Sequence, residues 1–96
     1  MIAFTAPLWL WTGEGGRWHF VTVPEAQSAE IKAHALTGPR AFGSVRVQAT
    51  IGAVAWATSV FPTREGAYIL PIKAEVRRKA GLNEGEQVQI TLNLVD

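Results

Sequence analysis

The sequence predicts a mainly β fold: a small closed six-stranded β-barrel with two short helices. Three observations predict it. Side chains alternate with period two in 2–11, 44–51 and 87–94, and 18–23, 54–61 and 67–70 are short stretches rich in aromatic and aliphatic residues. Proline or glycine punctuates each junction between them. Two further stretches have helical spacing, and each precedes a strand, so the order is β-β-α-β repeated twice. Closing six short strands buries one face of each and removes the edges that an open sheet would leave unpaired. The 96 residues read as one domain, 1–96. Two domains of half that size would each be too small to bury a core without staples.

The elements follow in order. In the first strand, 2–11, Ile2, Phe4, Ala6, Leu8 and Leu10 share one face, and Ala3, Thr5, Pro7, Trp9 and Trp11 the other. Pro7 suits an edge or a bulge. Residues 12–16 hold three glycines that can take positive φ, which suits a turn. The second strand, 18–23, pairs back as a hairpin and ends at Pro24. Ser28 is expected to cap a helix over 29–36, with Glu30 in its first turn and Ile31 and Ala35 facing the core. Thr37-Gly38-Pro39 stops that helix. Val45, Val47, Ala49 and Ile51 then alternate with Ser44, Arg46, Gln48 and Thr50, and Gly52-Ala53 turns the chain.

Residues 54–61 are rich in β-branched and aromatic side chains and read as the next strand. A polar turn over 62–66 leads to a short strand, 67–70, stopped by Pro71. A helix over 72–80 has Pro71 at its start and Gly81 as its C-cap. Ile72, Val76 and Ala80 form its apolar stripe, while Lys73 and Arg77 share a flank. After a turn at 83–86, Val88, Ile90, Leu92 and Leu94 alternate with polar residues in the last strand. Aligning Pro24 with Pro71 superposes strand, proline, helix, glycine and strand in the two halves, a weak internal repeat.

Composition excludes several function classes. Without cysteine there is no disulfide framework, no thiolate zinc site and no cysteine nucleophile. The N-terminus has no basic region before its apolar residues, and the apolar run 6–11 falls far short of the roughly 20 residues of a membrane span. A cytoplasmic protein with no membrane association is expected. A formal charge of +1 argues against a general binder of nucleic acid.

The charge is nonetheless uneven. Residues 40–80 hold Arg40, Arg46, Arg64, Lys73, Arg77, Arg78 and Lys79 against Glu65 and Glu75. Arg46, on the polar face of its strand, can meet Lys73 and Arg77 near the start of the second helix, where backbone N–H groups favour an anion. Arg46, Ser59, Lys73 and Arg77 are therefore the candidate ligands of a phosphate or carboxylate group. The same cations also read as a solvated face, with Arg46 pairing to Glu75 or Glu86. Four tryptophans are many for this length. Trp18 and Trp56 are expected in the core. Trp9 and Trp11 either join it or, with Trp18 and Tyr68, line an apolar slot or a partner surface.

Catalytic combinations are poor. His19 and His34 are the only histidines, and a set of Ser59, His19 and Glu25 has no local support. No spacing suits a metal, no paired carboxylates stand out, and Gly13, Gly15 and Gly16 precede a strand rather than a phosphate-binding helix. No catalytic residue and no cofactor is implied.

Two resemblances add to this reading. The segment Ile69-Leu70-Pro71-Ile72-Lys73, continuing through Val76-Arg77, Ala80-Gly81-Leu82 and Gly85-Glu86-Gln87-Val88, resembles the AbrB/MazE-type module of transcription regulators and antitoxins, with Glu86 where Asp is usual. Over residues 2–96 the chain is similar to the bacterial domain of unknown function family 1905. The similarity runs through Phe4, Trp18, Phe20, Val23-Pro24, Val45-Arg46, Ser59-Val60-Phe61-Pro62, Gly66, Leu70-Pro71-Ile72-Lys73 and Ala80-Gly81-Leu82. It departs at Gly52-Ala53, where that family tends to show Asn-Gly, the pair that favours a type I′ turn. The resemblance implies a double-split barrel related to the AbrB/MazE barrel, and no activity. That barrel is assembled from two chains, whereas here one chain carries both halves, so a monomer is expected.

The reading that follows is a non-catalytic binding module for a small anionic ligand or a protein partner. The alternative is an AbrB/MazE-like DNA-binding or antitoxin-type regulator, which needs a basic face and usually a dimer.

Overall fold

Alternation along all six strands turns their apolar faces into one core. The computed structural model describes residues 1–38 and 43–95; Pro39 and Arg40 lie outside them. The elements are β1 (Ile2–Gly13), β2 (Gly16–Thr22), α1 (Glu25–Leu36), β3 (Val45–Ile51), β4 (Val54–Pro62), β5 (Tyr68–Pro71), α2 (Ala74–Ala80) and β6 (Gln87–Leu94). The strands close in the order β1-β2-β5-β4-β3-β6, with all neighbours antiparallel. This is the expected mainly β barrel with two helices. Exchanging β1 with β4, β2 with β5 and β3 with β6 maps the strand pairings onto themselves, so the two β-β-α-β halves are related by an internal two-fold.

The core is built from inward positions of every strand, among them Leu8, Val21, Val47, Val60, Leu70, Ile90 and Leu92, all at most 1% exposed. Each such side chain contributes about 1.5–3 kcal/mol by leaving water. From the helices, Ile31 and Ala35 of α1 and Val76 of α2 join it. Trp56 is in the core as expected, but Trp18 is not: it is 53% exposed. Period two explains the correction. Val21 points inward, so Trp18, Phe20 and Thr22 must point out. Tyr68 is corrected the other way. It shares the inward parity of Leu70, is 1% exposed, and lines no surface slot.

Helix α1 begins at Glu25, four residues before the expected start, with Pro24 rather than Ser28 at the N-cap. Ser28 is instead buried inside the helix. Its Oγ donates to Val23 O (2.9 Å) and accepts the Tyr68 N–H (3.0 Å), so the hydroxyl bonds backbone on both sides of the β2–β5 seam. Helix α2 begins at Ala74, with Lys73 as N-cap. It ends as expected at Gly81, whose left-handed backbone (φ 68°, ψ 40°) returns N–H groups to Arg77 and Arg78. The two-residue Gly52-Ala53 loop closes on the pair Ile51–Val54 with positive φ at Gly52 alone, the signature of a type II′ rather than a type I′ turn.

The internal repeat has a different register from the one that proline alignment suggests. Val23 N–H donates to Tyr68 O (2.8 Å), and Ile72 N–H donates to His19 O (2.9 Å). These bonds equate Val23 with Ile72 and Tyr68 with His19. The N-caps Pro24 and Lys73 then coincide, and so do Ser28 and Arg77.

Candidate functional site

Strand β5 has four residues, and it decides where the barrel opens. It pairs with β2 at Phe20–Pro71, Val21–Leu70 and Thr22–Ile69, and with β4 only at Phe61–Ile69 and Pro62–Tyr68. Past Pro71 the chain turns off into α2. The β2 stretch Arg17-Trp18-His19 and the β4 stretch Trp56-Ala57-Thr58 therefore face each other with no strand between them. The result is a notch of about 250 Å³, closed at one end by Pro71, Ile72 and Lys73 and flanked by Arg77 of α2.

Its lining is basic and aromatic. Arg17, Lys73 and Arg77 bring three cations; among the described residues, none with a carboxylate lines it. Arg77 is half-buried and its guanidinium donates to Ile72 O, which fixes the side chain along the notch. Arg17 and Arg77 enter no ion pair among the described residues. Lys73 meets Glu75 at 3.9 Å with both side chains more than half exposed, a contact that water screens heavily. His19, mostly buried, holds Glu84 at 3.2 Å through Nε2. A positive, partly desolvated notch with fork-shaped donors suits a carboxylate or phosphate.

A second concavity adjoins it on the outer face of the barrel. Across the β1–β2 hairpin, Trp9 pairs with Phe20 and Trp11 with Trp18. The Trp9 and Phe20 rings are 5.2 Å apart. With Phe61, Ile69 and Pro71 they line an open trough of about 550 Å³. Trp11, Trp18 and Phe61 are 42%, 53% and 44% exposed, an apolar surface larger than scattered single residues make. Trp18 and Pro71 line both concavities.

Of the residues singled out from sequence, the structure brings Lys73 and Arg77 together in the notch and Trp9 and Trp11 together in the trough. Arg46 and Ser59 form a cross-strand pair of β3 and β4 and line neither. Glu75 lies near Lys73 and Lys79 rather than Arg46, and Glu86 accepts the Asn83 N–H, which holds the turn before β6. Arg17, His19 and Thr58 were not singled out as ligand residues. Nothing local marks them, because β2 and β4 meet only through the fold. For Trp18 the signal was present in its outward parity. The set of Ser59, His19 and Glu25 gains no support, since His19 turns to Glu84.

Among the described residues, no group of three His, Asp or Glu could hold a metal ion, and no helix is long and apolar enough to cross a membrane. No curated protein matches the chain. The model of one family, the domain of unknown function DUF1905, matches residues 4–92, and the chain belongs to that family.

Proposed function

We propose that the protein is a non-catalytic binding module that holds a small anionic ligand in the notch between β2, β4 and α2. One observation carries this reading: Arg17, Lys73 and Arg77 line a single notch that no described carboxylate lines. Trp18 and Trp56 give the notch an aromatic wall beside them, and an apolar wall strengthens a charge-assisted hydrogen bond.

The test is a thermal-unfolding and calorimetric titration with phosphate, sulfate and acetate at low ionic strength. Saturable stabilisation is expected, reaching about 2.7 kcal/mol at a hundredfold excess over Kd. Arg17→Ala and Lys73→Ala should each weaken it by roughly tenfold or more, the worth of a hydrogen bond to a charged group. Arg46→Ala should leave it unchanged. Stabilisation that survives the Arg17→Ala/Lys73→Ala double variant would overturn the assignment. Tight binding to duplex DNA with a steep salt dependence would replace it with the AbrB/MazE-like regulator.

A further inference from the structure

The geometry points to a bipartite site, in which the notch and the aromatic trough together take one amphiphilic organic carboxylate. Its head lies among Arg17, Lys73 and Arg77, and its hydrocarbon or aryl body runs over Trp18 into the trough. This deepens the anion reading and rests on it.

Continuity is the first argument. Trp18 and Pro71 are walls of both concavities, so a ligand leaving the notch meets the trough directly. The notch, about 250 Å³, is smaller than most sites for small organic molecules, but joined to the trough of about 550 Å³ it comes within their range. Chemistry is the second. The trough is lined only by aromatic and aliphatic residues and proline. Trp9 spends its Nε1 proton on Thr22 Oγ1 (2.9 Å), so it offers the ligand a ring face. A nucleobase needs polar partners at its edges, and the trough has no carboxylate, amide or hydroxyl side chain to supply them. A hydrocarbon or aryl body needs none. Charge complementarity is the third. Three cations line the notch and none lines the trough, and Arg77 is half-buried and tied to Ile72 O. That arrangement matches a single head group on a free molecule. A flat anionic membrane would be better met by exposed cations encircling the patch.

The experiment follows tryptophan fluorescence and binding heat for acetate, butanoate, hexanoate and octanoate, with octanol as the neutral control, below micellar concentration. Affinity should rise about two- to fourfold per methylene. Octanol should bind at least tenfold more weakly than octanoate. Arg17→Gln should lower the whole carboxylate series by one factor. Trp18→Ser should flatten the dependence on chain length. Gly13→Ala supplies a second, gentler probe: a Cβ there would stand 2.5 Å from the Trp11 ring, so it displaces that ring without touching a cation. It too should flatten the series while leaving acetate and phosphate binding unchanged. A flat series with retained phosphate binding would overturn the bipartite site and leave the anion reading standing. Equal binding of octanol and octanoate, with no response to phosphate, would overturn both. Binding to phosphatidylglycerol vesicles without binding to octanoate would overturn the free-carboxylate assignment in favour of a membrane surface.

Discussion

At the β2–α1 junction, Val23 donates to Tyr68 O and Pro24 caps the helix; at the β5–α2 junction, Ile72 donates to His19 O and Lys73 caps the helix. The backbone is the same at both places, and the side chains diverge. Four residues past each cap stands Ser28 in one case and Arg77 in the other. Ser28 is 3% exposed and uses its hydroxyl to join Val23 O to the Tyr68 N–H. Arg77 reaches the equivalent carbonyl, Ile72 O, from a half-exposed position. Tyr68 is buried, while its counterpart His19 faces the notch. A short side chain lets α1 seat deeply, with Ser28, Ile31 and Ala35 buried; α2 buries only Val76. The α1 junction also borders a concavity, of about 540 Å³, but Glu25 and Glu65 line it beside Lys32, whereas three cations and no described carboxylate line the notch at the α2 junction.

The largest effect should come from unseating α1. Ile31→Ala removes a fully buried side chain and should cost about 2–5 kcal/mol in a denaturant titration. A loss under about 1 kcal/mol would mean that α1 is no better anchored than α2. Ser28→Ala leaves the Tyr68 N–H without its acceptor and should cost about 1–3 kcal/mol, while the response to phosphate stays intact. Loss of that response would show that the two junctions are coupled. Gly81→Val should cost about 1–2 kcal/mol, because nothing crowds a Cβ there and the penalty is that of a β-branched residue held at φ 68°. It should also weaken anion binding, since Lys73 and Arg77 are held by the helix that Gly81 ends.

Two smaller effects sharpen the contrast. Burial pushes the Tyr68 phenol above its ordinary value near 10. Folding therefore favours the neutral phenol. That contribution is complete below the unfolded value and is lost as pH rises through the folded one. Tyr68 is the only tyrosine, so tyrosinate absorbance reports it alone, and the midpoint should lie above that of the unfolded chain. Equal midpoints would mean that water reaches the α1 side as well. Arg17→Ala, on an exposed position, should change stability by no more than about 0.5 kcal/mol yet weaken phosphate binding by roughly tenfold.

Period-two alternation in 2–11, 44–51 and 87–94, apolar stretches between turn residues elsewhere, and helical spacing before two of the strands were enough to read the six strands, the two helices and the β-β-α-β repeat from the residues. These are local properties: inward parity at Val21, Val23, Val47 and Leu70 is written in spacing alone. The same parity, followed strictly, would also have set Trp18 outside and Tyr68 inside. Lys73 and Arg77 were legible as a pair from their four-residue spacing at the start of the second helix, although Lys73 proves to be its N-cap.

The rest was decided between elements distant in sequence. Ser28 resembles a cap, and only the arrival of β5 shows that its hydroxyl belongs to Val23 and Tyr68. The repeat register rests on backbone bonds from Val23 N–H to Tyr68 O and from Ile72 N–H to His19 O, which proline positions do not encode. Above all, the notch exists because β5 stops at Pro71 while β2 and β4 continue, which brings Arg17 opposite Trp56 and Thr58. Spacing along one strand determines which way each side chain faces. Barrel closure determines what it faces, because that depends on the lengths and registers of strands that meet only in the folded chain.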